Sequence, residues 1–65
     1  MIPYSLEPQT LVGTWRRFGA IGPVYEVVGV GKVEGEELWM RIRLPESGEE
    51  ADYKLTDLLD DPKER

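Results

Sequence analysis

The stretch Glu37-Leu38-Trp39-Met40-Arg41-Ile42-Arg43-Leu44 decides the fold. Leu38, Met40, Ile42 and Leu44 fall at every second position, with Trp39, Arg41 and Arg43 between them. Side chains alternate across a strand, so this period of two predicts a half-buried β-strand over 37–44. Pro45-Glu46-Ser47-Gly48 then reads as a turn. Ala51, Tyr53 and Leu55 alternate with Glu50, Asp52 and Lys54 in a second strand over 49–55. Pairing Leu44 with Glu49 across a four-residue loop sets Ile42 against Ala51, Met40 against Tyr53 and Leu38 against Leu55. The same register sets Arg43 against Glu50, Arg41 against Asp52 and Trp39 against Lys54. A slip of one residue places apolar side chains opposite charged ones. A slip of two sets Arg41 against Lys54.

Working outward, Val24 to Val30 (VYEVVGV) is rich in β-branched and aromatic residues and reads as a strand. Gly29 within it points to a bulge or a close backbone approach. Gly31 to Gly35 reads as the following turn. Leu11 to Phe18 reads as the first strand, ended by the breaker-rich loop Gly19-Ala20-Ile21-Gly22-Pro23. Residues 1–9 form an arm, in which alternating Ile2, Tyr4 and Leu6 are compatible with an edge strand. Thr56 to Pro62 reads as a short helical turn, capped by Thr56 and ended by Pro62. Leu58 and Leu59 are expected to plug one end of the sheet. Residues 63–65 read as a charged, frayed tail. The fold expected is mainly β: one domain over 10–62, a small antiparallel meander of four to five strands, curled or closed into an SH3-like barrel, with a short C-terminal helical turn.

Composition narrows the function. The chain has 65 residues, 13 acidic and 8 basic, a net charge of −5, with no histidine and no cysteine. These absences remove imidazole bases, thiolate nucleophiles, disulfides and thiolate metal sites. So small a chain leaves little volume for an enclosed active site. No cofactor, no metal and no enzymatic activity are expected. Without a basic, apolar leader or a long apolar run, neither signal peptide nor membrane span is read, and the expected location is the cytoplasm.

Two motifs resemble chemistry without completing it. Gly29-Val30-Gly31-Lys32 resembles part of a phosphate-binding loop, but no helix opens after it. The carboxylates around Glu46–Asp52 and Asp57–Asp61 lack the spacing of a calcium loop and read as solvated surface.

The strongest candidate surface is the polar side of the 37–44 strand. Trp39, Arg41 and Arg43 share it, and a neighbouring strand could bring Arg16, Arg17 and Trp15 alongside. Aromatics among arginines suit single-stranded nucleic acid, and they also anchor protein interfaces. Residues 1–33 hold three basic and two acidic side chains, whereas residues 34–65 hold five and eleven. An acidic chain repels a phosphate backbone, and Glu50 and Asp52 answer the arginines. Another protein, or a second copy of the chain, is therefore the expected partner, with nucleic acid as the alternative.

The motifs Val12-Gly13-Thr14-Trp15-Arg16-Arg17-Phe18-Gly19, Gly22-Pro23-Val24-Tyr25-Glu26-Val27 and Glu46-Ser47-Gly48-Glu49-Glu50 with Tyr53 resemble a family of small uncharacterised bacterial proteins of similar length. The resemblance covers about residues 11–62. It implies an association with toxin–antitoxin-type genes, hence a regulatory or partner-binding role. It carries no catalytic or binding residues.

Overall fold

Two long strands form the centre of the sheet in the computed structural model, which describes residues 7–64. They are β2 (Val24–Glu34) and β3 (Glu37–Arg43), flanked by β1 (Trp15–Arg17) and β4 (Glu50–Lys54). A helix, α1 (Leu55–Asp60), leads into β5 (Lys63–Glu64), which returns to pair with β1. The sheet is antiparallel throughout, in the order β4-β3-β2-β1-β5. β4 and β5 stay at opposite edges, so the sheet is open and no barrel closes.

The β3–β4 register is the expected one at all five pairs, from Trp39 with Lys54 to Arg43 with Glu50. Leu44 N–H donates to Glu49 O at 2.8 Å, closing the loop where the apolar pattern placed it. Met40 and Ile42 are buried, while Arg41 and Arg43 are exposed. The irregularity expected at Gly29 is present, because the β2–β3 register shifts between Val27 and Gly29.

Three boundaries differ from the sequence reading. Leu11 lies in a 3-10 turn, Pro8–Leu11, and not in a strand. Proline starts this turn, where its missing donor costs nothing. The Thr14 hydroxyl closes it by donating to Leu11 O at 2.6 Å. Gly13, at φ +92, then redirects the chain into β1. The expected turn over 31–35 is instead mostly strand. Gly31 sits against β3, where a Cβ would lie 2.5 Å from Trp39 O, and the reversal falls on Gly35-Glu36. The residues read as a frayed tail contribute β5: Trp15 pairs with Glu64 and Arg16 with Lys63. This strand is the fifth of the sheet; the edge strand expected from Ile2, Tyr4 and Leu6 lies outside the described residues.

The helix also starts earlier than expected. Lys54 occupies the cap position without a side-chain hydrogen bond, and Thr56 sits in the first turn. The chain enters the helix directly from β4, which keeps Leu55 packed on the core. Leu58 is fully buried, but Leu59 is 40% exposed, so only the first leucine plugs the sheet. The core comprises Leu11, Tyr25, Val27, Met40, Ile42 and Leu58, edged by Phe18, Leu38, Leu44, Tyr53 and Leu55. Among the described residues, no helix is long and apolar enough to cross a membrane.

Candidate functional site

The face of the sheet away from the core carries a row that crosses all five strands. In order it runs Glu64, Trp15, Glu26, Arg43 and Glu50, each opposite the next in register. The next rung holds Arg41 between Gly29 and Asp52, and beyond it Trp39 lies opposite Lys54. Trp39, Arg41 and Arg43 therefore share one face, as the alternation requires.

The charges on this face are interlocked. Arg43 Nη2 donates to Glu26 Oε1 at 2.9 Å. Arg41 donates to Glu50 at 3.3 Å and to Asp52 at 3.2 Å. Its pKa rises from an already high value, chiefly through the bonds to Asp52 and Glu50. Glu50 thus leans diagonally to Arg41, freeing Arg43 for β2. Lys32 Nζ lies 3.8 Å from Asp52, and Lys54 Nζ stands 5.7 Å from the centre of the Trp39 ring. At that distance an ammonium is attracted by the ring face. Trp39 is half-buried, and its indole N–H is buried with no partner among the described residues.

The Arg16–Arg17 pair is divided by the strand. Arg17 points to the open face and grips Glu64 with two bonds of 3.1 Å, while its third arm donates to Gly22 O at 2.9 Å. The bond from Arg17 holds the Glu64 carboxyl below its usual range. Arg16 lies on the core side, 5% exposed, with Nη1 donating to Asp61 O at 2.9 Å. It is therefore no part of the exposed face, a correction to the sequence reading. Position 16 is the inward one on a strand whose two outward residues are Trp15 and Arg17. Trp15 stands on the exposed face instead, between Glu64 and Glu26 in the row, 37% exposed.

Behind this face lies a polar knot that sequence reasoning missed. The Asp61 carboxylate accepts from Tyr25 OH at 2.7 Å, Tyr53 OH at 2.9 Å and Gly19 N–H at 3.1 Å. Burial alone would raise its pKa, but these donors, with Arg16 nearby, hold it below the ordinary value. Burial and the bond to Asp61 push Tyr53 up to about 12 and Tyr25 higher still. Phe18 packs against both tyrosines, tilted on Tyr25 with ring centres 4.4 Å apart and edge-to-face with Tyr53 at 5.3 Å. No local pattern announces this knot, because Asp61 is 36 residues from Tyr25.

The knot ties the β1–β2 loop and the chain after α1 to the core, while the open face carries Trp15 and the interlocked charges. Comparison with known proteins identifies the chain's family. The chain belongs to the family of unknown function DUF5397, matched over residues 4–65. No curated protein matches it.

Proposed function

We propose that this member of the family is a non-enzymatic protein-binding or regulatory module of the cytoplasm, and that its partner docks on the open face of the sheet. The observation that carries the reading is Trp15, exposed on β1 in the five-strand row and flanked by the Glu26–Arg43 and Arg17–Glu64 pairs. An indole ringed by fixed charges of both signs suits a protein surface of mixed charge, where tryptophan and arginine are the usual anchors. A toxin–antitoxin-type gene neighbourhood would provide such partners.

Single-stranded nucleic acid is the weaker reading. A phosphate would have to displace carboxylates already bonded to Arg17, Arg41 and Arg43. The test is affinity capture from the source cell with the wild-type chain, Trp15→Ala and Arg43→Glu. Partners held by the wild type are expected to be lost from both variants, and their full retention would refute the face. A parallel titration with labelled single-stranded DNA and RNA at low salt is expected to show no binding. Salt-sensitive binding there would replace the protein reading with the nucleic-acid one.

A further inference from the structure

Arg16 and Lys63 are direct partners across the β1–β5 pair, so their side chains share the core-side face. Like charges set directly opposite each other destabilise a sheet. Elsewhere the chain answers its cations. Arg17, Lys32, Arg41 and Arg43 each pair with a carboxylate, and Lys54 stands over Trp39. Among the described residues neither Arg16 nor Lys63 has a carboxylate partner. Arg16 is 5% exposed, and Nη1 donates to Asp61 O, but Nε is buried with no acceptor among those residues. A buried donor without an acceptor is rare in a folded protein. A chain of net charge −5 thus leaves two adjacent cations unanswered.

Both cations line a depression of about 650 Å³ beside β5, with Leu11, Trp15 and Leu59. That volume suits a small ligand, for which pockets of about 300–1,000 Å³ are usual. Leu59, the leucine that does not plug the sheet, and Trp15 give it apolar surface. Glu64 also lines it, but both carboxylate oxygens accept from Arg17. The Thr14 hydroxyl there already donates to Leu11 O, which leaves the two cations as the donors for a ligand.

We propose that this depression binds a small organic anion, a carboxylate on an apolar body. The carboxylate lies between Arg16 and Lys63, and the body rests on Leu59 and Trp15. An inorganic anion would leave that apolar surface uncovered, and a nucleic-acid strand would bring many charges to an acidic chain. The site lies on the core side of β1 and β5; Trp15 alone borders both it and the open face.

Hexanoate, titrated at constant ionic strength into nitrogen-15-labelled chain, tests the site. Saturable shifts are expected at residues 10–16 and 59–64. Hexanol, the same body without the charge, is expected to bind at least about tenfold more weakly. The same loss is expected for hexanoate in Lys63→Glu. Lys63 is exposed, and a carboxylate at that position answers Arg16, so this variant should melt above the wild type in plain buffer. Hexanoate should raise the wild-type midpoint and leave that of Lys63→Glu unmoved. A peptide ending in leucine, with its terminus free or amidated, separates two sources of the same chemistry. Tighter binding than hexanoate by the free form alone assigns the site to a chain end, and weaker binding assigns it to a small acid. Equal binding of hexanol, shifts confined to other residues, no saturable shift, or full binding by Lys63→Glu would each overturn the proposal.

Discussion

Asp61 is the residue on which the most distant parts of the chain converge. It joins β2 through Tyr25, β4 through Tyr53, the β1–β2 loop through Gly19 and, by its carbonyl, β1 through Arg16. Replacing Asp61 by Asn removes the charge that both phenols face and turns part of the acceptor into a donor. A loss of about 1–3 kcal/mol is expected in urea unfolding, the range for removing a charged, partly buried hydrogen-bond acceptor. The tyrosines also predict an alkaline limit. Their folded pKa values lie above the unfolded value of about 10, Tyr53 at about 12 and Tyr25 higher. Their contribution to stability is therefore complete below pH 10 and lost as pH rises through the folded values. Melting followed by circular dichroism across that window is expected to show a falling midpoint in the wild type and a shallower fall in Asp61→Asn. Parallel slopes would show that other groups set the limit.

At the scale of elements, legibility followed the distance over which a residue's role is decided. The β3–β4 hairpin was readable because each pair lies within a few residues of a tight loop and one face must be apolar throughout. β1 was read too long because Leu11, Val12 and Trp15 resemble strand residues, whereas the local bonds of Thr10 and Thr14 favour a 3-10 turn. β5 was not readable at all. Lys63 and Glu64 have no apolar period, and they form a strand only because β1 offers an edge and Arg17 offers a partner. Gly31 illustrates the same limit. Its meaning depends on the Trp39 carbonyl across the hairpin rather than on its neighbours. Gly31→Ala is expected to cost about 1–3 kcal/mol, as overpacking does, with the damage centred on the β2–β3 pairing. Hydrogen exchange would locate it: faster exchange confined to the far half of the hairpin is expected, and an unchanged pattern would count against the close approach.

For the whole molecule, the decisive quantity is the size of the core. Among the described residues six buried apolar side chains hold the sheet, and Leu58 is the one that α1 supplies. Leu58→Ala is expected to remove about 2–5 kcal/mol, a large part of the stability typical of small domains. Because the one core serves every element, tryptophan fluorescence and far-ultraviolet circular dichroism should report a single shared unfolding transition in the wild type. Separated transitions would show that α1 and β5 detach first. The candidate face was legible in the same partial way. Trp39, Arg41 and Arg43 came from one strand's alternation. The exclusion of Arg16 and the outward placement of Trp15 depended on which way a three-residue strand faces, and that is settled by pairing on both of its sides.

The return of residues 61–64 to β1 has a consequence for shortened chains. Residues 24–54 contain the three-stranded β2–β3–β4 unit, which pairs without the last residues. Arg16, Tyr25 and Tyr53 donate to Asp61, and Arg17 to Glu64. A chain cut back to end at residue 60 should therefore be open to proteases between residues 11 and 23. In the full chain the same segment should be resistant.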